Sequence, residues 1–433
     1  MSRILGAQLW PNVCLAVGMR FSSWSRSLLT ATVFACSSLL GCDDTGSNSE
    51  NITDVNHTDV ERQSIGNCWL YATASWAEHM HIMATEEKKQ LSQSYWTFWH
   101  WYDEVQTGWG SEIQTGGSTW VANEIIRERG LMFEADFVPE DAVSEMSSRQ
   151  ASALAKMNQE MKDSRLATSS ARRNKKLVMQ VLVEAWQLEP EIAEQLVKVF
   201  GEDGARTFAG SAESEGTNIL GPHEYEVAYP ERKTDPSRAT WKTTTLDVAI
   251  AEHRTASYPR DEAGRRSFQI RMQKVLHDGA APVVTWNVDF NAMESSDPEL
   301  MGSFNLTTLK RAGGPGRQGG HMTVLHDYQI QTEQFGLLEA GVTLDPENPD
   351  DAAKLEAALL PSSKLQFFRI KNSWGAFRPD RGNAPGMPGY HDLYADYMNG
   401  PIAWCPSVEG TKNEQNCRST TTPFRDVLMP PGY

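Results

Sequence analysis

An α+β fold, with helices in the first half of the chain and antiparallel strands in the second, is predicted by three observations. From Cys68 to Met83 there is no Pro or Gly, and apolar side chains at 69, 72, 76, 80 and 83 repeat at helical spacing. Between Glu140 and Glu215 the composition shifts to Ala, Lys, Arg, Glu, Gln and Met, with Leu177, Val178, Val181, Leu182, Ala185 and Trp186 in helical register. Beyond Trp241 the apolar runs become short, β-branched or aromatic, and bounded by Gly, Pro or Ser, which is the pattern of strands.

The elements follow in order. Trp69, Trp76, Trp96, Trp99, Trp101, Trp109 and Trp120 crowd residues 62–139 and are expected in core helices. The stretch of about 140–215 is a helical insertion in which Glu189-Pro190-Glu191 ends one helix and starts the next, because Pro suits a first turn and not an interior. Residues 282–288, 322–328 and 365–371 are the predicted strands, and an acidic excursion at 345–360 carries one short helix.

At 433 residues the chain has room for two or three domains, or for one large domain with insertions, at about 150 residues each. With 40% hydrophobic and 22% charged residues the body is neither disordered nor a multi-span membrane protein. A formal net charge of −16 argues against a nucleic-acid partner, since phosphate binding needs clustered Lys and Arg.

Residues 28–40 form an apolar run too short to span a bilayer, preceded by Arg20 and Arg26, as in a secretory signal. Leu39-Leu40-Gly41-Cys42 resembles the lipobox of bacterial lipoproteins. The resemblance implies a signal peptide over 1–41, lipidation of Cys42, and anchoring at a bacterial cell envelope facing the periplasm or exterior. Met19 is an alternative start that gives a signal of ordinary length. Residues 42–61, polar, acidic and rich in Gly, Ser and Asn, read as a flexible tether to a folded body over 62–400.

Six cysteines are too few for a disulfide scaffold, so each has its own role. Cys405 and Cys417, 12 apart in a C-terminal extension over 401–433, are expected to pair in an oxidising compartment. Cys68 follows the turn-forming Gly66-Asn67 at the predicted start of a helix, where unsatisfied N–H groups and the positive dipole end favour a thiolate. Such a nucleophile needs a base and a group that orients it. His321 follows Gly319-Gly320 at the start of a strand, and Asn372 lies in Lys371-Asn372-Ser373-Trp374-Gly375 at the end of another.

This order of Cys, His and Asn, with its flanking residues, resembles the papain superfamily of cysteine peptidases. Leu91-Ser92-Gln93-Ser94-Tyr95 and Gly116-Gly117-Ser118-Thr119-Trp120 are similar to stretches of its bleomycin hydrolase and bacterial aminopeptidase branch. The resemblance implies a two-lobed papain-like fold, helical on one side and antiparallel β on the other, with a helical insertion. It implies Cys68 as nucleophile, His321 as acid and base, and Asn372 as the group that sets the imidazole tautomer. Trp374 would shield the His–Asn bond, Gln63 would support the oxyanion, and Gly116 and Gly117 would pair with a peptide or protein substrate. Gln63 lies five residues before Cys68, where the family's Gln lies six before, and the cathepsin-type disulfide is replaced by Ile65 and Gln114. No cofactor and no metal are expected.

Competing residues have plainer readings. His326 lies five along the strand from His321 and is expected on its other face. His79 and His81 do not share a helix face and read as surface positions rather than metal ligands. Gly313 to Gly320 lacks the Lys-Ser/Thr of a phosphate loop and reads as a flexible loop before the strand. Two other functions stay open beside a peptidase: a papain-like binding protein without turnover, and an acyl-transferring enzyme with the same triad.

Overall fold

The structure, a computed structural model, describes residues 55–376, 378, 381–405, 417 and 419–433. The leader over 1–41 and the lipidation candidate Cys42 lie outside the described residues.

The first helix, α1 (Cys68–Thr85), begins at the predicted residue and is buried on nearly every side. It packs against the strand Glu226–Glu231 and against the long strand Gln318–Thr332 that carries His321. That placement corrects the surface reading of His79 and His81, since both are buried. Each ring is held by a carbonyl, His79 Nδ1 by Asn56 O and His81 Nδ1 by Glu226 O, both at 2.7 Å.

Helix α2 (Gln93–Gln106) starts where Ser92 Oγ accepts from the Tyr95 N–H, and α3 (Thr119–Arg129) where Ser118 caps Val121 in the same way. Together with helices Gln150–Asp163, Lys175–Trp186 and Pro190–Phe200 they bury Trp69, Trp76, Trp96, Trp99, Trp101 and Trp186 in one core. Trp109 and Trp120 depart from expectation, at 80% and 70% exposed. Trp109 follows the end of α2 between two glycines at positive φ. Trp120 is off the buried stripe of Ala122, Ile125, Ile126 and Arg129.

The predicted strands are Val283–Asp289, Gln318–Thr332 and Lys364–Lys371, and the excursion carries the helix Pro349–Ala358. The main sheet has the lateral order Arg254–Ser257, Phe424–Met429, Val283–Asp289, Gln318–Thr332, Lys364–Lys371, Tyr390–Tyr394, Ser303–Phe304. All neighbours are antiparallel except the last two. Alternation divides its side chains between two cores. Val283, Met322, Val324 and Leu428 face the helical half, whereas Val284, Trp286, Leu325 and Val427 face a second core closed by Phe268, Met272 and Leu276 of the helix Glu262–His277. The described residues are thus α+β, a helical side joined to a mainly antiparallel β side.

Three boundaries shift. Gln318 to Gly320 are already strand, paired with Asp289, Val288 and Asn287, so the glycine-rich loop is shorter than expected. Residues 55–61, expected in the tether, belong to the folded body: Val55 is buried in the second core, and Thr58 and Glu61 are buried too. The C-terminal segment is no appendage, because Phe424–Met429 lies between two strands of the sheet. Cys405 and Cys417 are joined by a disulfide with Cα atoms 4.1 Å apart. Tyr433 lies past the end of the sheet opposite His321, with Arg232 stacked 5.3 Å from its ring and its phenol bonded to Asp278.

Candidate active site

Cys68 is the first residue of α1, and its capping neighbour Asn67 leaves the helix N-terminus uncovered by any side chain. The Asn67 amide instead turns inward and donates to Thr97 Oγ1 and Gln150 Oε1, both at 3.1 Å. Gln150, the first residue of its helix, also donates to Ser94 Oγ and Tyr71 OH, so the helical insertion braces the turn that presents the sulfur. The backbone N–H groups of Met322, Trp69 and Cys68 itself face the thiol. Since Met322 follows His321, the sulfur lies beside the histidine strand.

His321 is held on three sides. Its Nε2 is 2.7 Å from Asn372 Oδ1, its ring stacks on Trp374 at 4.7 Å and 20°, and Trp286 meets it edge-on at 5.4 Å. The backbone N–H of Ser373 also donates to Asn372 Oδ1, at 2.8 Å. Nε2 therefore carries the proton, and Nδ1 is left to exchange one with the sulfur. Trp374 is buried and is itself covered by the Arg381 guanidinium 4.1 Å above its ring, so the His–Asn bond is sheltered from water. His326 sits elsewhere, 5.5 Å from the His57 ring and 4.9 Å from Tyr390, past the register shift that follows Leu325.

Gln63 reaches the same corner by another route. Its backbone N–H donates to Ser373 O, its Oε1 accepts from Ser373 Oγ and its Nε2 donates to Ile65 O, at 2.9, 2.7 and 2.7 Å. One of the two Nε2 protons is thereby committed. Gly116 and Gly117 are exposed and unequal. A Cβ at Gly116 would meet open space, whereas one at Gly117 would fall 2.4 Å from the Trp69 ring, whose Nε1 donates to Thr115 O. Gly117→Ala is therefore expected to push the indole next to Cys68, costing about 1–3 kcal/mol and lowering any turnover, while Gly116→Ala leaves melting unchanged. Paired thermal melts and kcat/KM values check this, and equal behaviour of the two variants would refute it.

Burial decides the resting charge state. Cys68 keeps partial solvent exposure, yet the dense protein around it pushes its thiol up to about 11, against the pull of the three N–H groups. Burial likewise pushes His321 down to about 4, although its bond to Asn372 works the other way. Both shifts favour a neutral thiol–imidazole pair over the thiolate that the helix terminus alone would predict. Iodoacetamide alkylation of Cys68 is then expected to rise about tenfold per pH unit from pH 7 to 10. A flat rate over that range would mean a pre-formed ion pair.

A buried polar cluster backs the site. Lys371 Nζ donates to Thr58 Oγ1 and Ser75 Oγ at 3.1 and 3.2 Å, Thr58 Oγ1 donates to Glu78 Oε2, and Gln93 Nε2 donates to Glu61 Oε2. Desolvation holds the Glu61, Glu78 and Glu134 carboxyls above their usual range, and neighbouring carboxylates add to the rise for Glu61 and Glu134. Lys371 and Gln93 fall within the sequence motifs without a role of their own, and Thr58, Ser75, Glu61, Glu78, Glu134 and His391 fall outside them. Glu78 could have been noticed as an acid amid apolar helix-forming sequence, whereas Glu61 lies in a polar stretch; His391 stands directly after Gly389-Tyr390 and gives no periodic signal of its own. Among the described residues no group of three His, Cys, Asp or Glu side chains is placed to hold a metal ion. None of their helices is long and apolar enough to cross a membrane.

No protein-family model matches the sequence, and no curated protein matches it. Among solved structures, PepW from Lactobacillus rhamnosis HN001 is similar with a TM-score of 0.39 and 11% identity, over 88% of this chain and 81% of that one. Xylellain, a cysteine protease from Xylella fastidiosa, is similar with a TM-score of 0.35 and 12% identity, over 88% and 85%. Likeness at that level carries no argument about this chain's activity, which rests on the site itself.

Proposed function

We propose that the chain is a papain-like cysteine peptidase with Cys68, His321 and Asn372 as its triad. The observation that carries this reading is the 2.7 Å bond from His321 to Asn372 under the stacked Trp374, on a strand whose next residue faces the Cys68 sulfur. The sulfur attacks a peptide carbonyl as its proton passes to His321 Nδ1. The tetrahedral oxygen is held by the Cys68 N–H at the open helix terminus and by the uncommitted Nε2 proton of Gln63. His321 then protonates the leaving amine, and water, deprotonated by the same imidazole, hydrolyses the thioester. Cys42 carries a lipid that holds the enzyme at a bacterial envelope, and its partners are a peptide or protein substrate and that membrane.

Mass spectrometry after treatment with a peptidyl epoxide tests the reading, with one adduct expected, on Cys68. An unmodified Cys68 would favour a second reading, a cleft that binds peptides without turnover. That reading draws on the neutral pair and on the Gln63 amide committed to Ile65 O.

A further inference from the structure

Asn372 has a second histidine behind it. Because Ser373 N–H can only donate, the atom facing it must be the Asn372 oxygen. The amide nitrogen is then the atom 3.3 Å from His391 Nδ1. An amide NH2 has protons to give and no lone pair to offer, so His391 Nδ1 must be the bare, accepting nitrogen and its ring the neutral Nε2–H tautomer. The ring is 1% exposed, on the strand Tyr390–Tyr394, and is clamped edge-on by Trp374 at 5.3 Å and tilted against Phe304 at 6.0 Å.

The charged and polar groups facing His391 agree with a neutral ring. His321 and Arg381 both present positive charge when ionised, and the backbone carbonyls of Gly382 and Gly389 offer only weak compensation. Burial, then His321 once it is protonated and the Arg381 guanidinium, hold the imidazole down to about 3. Its Nδ1 therefore stays an acceptor through the neutral range.

We infer that His391 is a positioning residue for the proposed triad: by accepting from Asn372 Nδ2 it locks the amide with Oδ1 toward His321. The inference rests on the peptidase reading for its catalytic consequence. Without an acceptor at 391 the buried NH2 would be unsatisfied, a state costly enough to turn the amide away from His321. The imidazole would then lose the contact that keeps Nε2 protonated and Nδ1 available.

Two substitutions and one spectrum test it. His391→Leu removes the acceptor and is expected to lower kcat about tenfold with KM within twofold, as lost general acid–base alignment should. His391→Gln, which keeps an acceptor oxygen, is expected to restore kcat to within about threefold of wild type. A folded Leu variant with wild-type kcat, or Gln and Leu variants equally impaired, would overturn the inference. Nitrogen NMR of the 15N-histidine-labelled wild-type protein between pH 6.5 and 8 needs neither variant folding nor turnover. An unprotonated His391 Nδ1 is expected there, and a protonated one overturns the inference. Failure of the peptidase reading would look different, as wild-type protein that neither hydrolyses peptides nor takes the epoxide.

Discussion

Cys68→Ala is expected to reduce peptide hydrolysis by at least about 10⁴-fold, the scale on which removal of a triad nucleophile is felt. The fold should survive, because Cβ is retained and the sulfur is only partly enclosed; a stability change within about 1 kcal/mol is expected. His321→Ala should be nearly as damaging, and the double variant no worse than either single one, since nucleophile and base act as a unit. Asn372 acts through His321, so Asn372→Ala is expected to cost less than either. A fluorogenic peptide assay with active-site titration checks the series. Residual hydrolysis in Cys68→Ala above that of heat-killed protein would remove Cys68 from the mechanism, and additive losses in the double variant would separate His321 from it.

The parts of this site that were legible in the sequence are those with a local signature. Gly66-Asn67-Cys68 marks a helix start because turn residues run into an uninterrupted helical repeat, and α1 begins there. The strands that carry His321 and Asn372 were legible from β-branched and aromatic runs, although Gln318 to Gly320 join the strand because pairing with Asp289 to Asn287 overrides the glycine signal. Long-range burial was not legible. Nothing local distinguishes His79 and His81 from exposed polar residues on a helix, yet packing of α1 against sheet on two sides buries both. Phe424–Met429 reads as a tail until its partners, Arg254–Ser257 and Val283–Asp289, are known, and the paired residues lie 138 to 175 positions apart in the chain. Likewise Asn372's bond to His391 depends on a strand return that no spacing rule specifies.

The buried histidines lead to a second large effect, a steep loss of stability in mild acid. His57, His79, His253, His277, His321, His326 and His391 are all enclosed, and desolvation is the first cause that lowers each of them. For His79, His253 and His321 the value falls to about 4, and for His277, His326 and His391 to about 3. Three of them, His57, His79 and His326, also crowd one another, with ring centres 5.9 and 5.5 Å from His57. A base whose folded pKa is depressed favours folding above its unfolded value of about 6.5, and that advantage is lost as pH falls toward the folded value. Glu61, Glu78 and Glu134 oppose this, because their raised carboxyls keep protons in the folded state that the unfolded chain releases above about 4.5. Asp103, Asp141 and Asp392, also raised, soften the slope lower down. With seven imidazoles set against three carboxyls, the unfolded chain binds more protons than the folded one near pH 5.5, so stability falls as pH drops below about 6.5. Urea midpoints at pH 7, 6 and 5 should fall in that order, and titration of native against urea-unfolded protein should show a net uptake of protons on unfolding at pH 5.5. A midpoint that does not move from pH 7 to 5 would mean that the buried rings are protonated in the folded state, which their unpaired nitrogens in His57, His79 and His326 argue against.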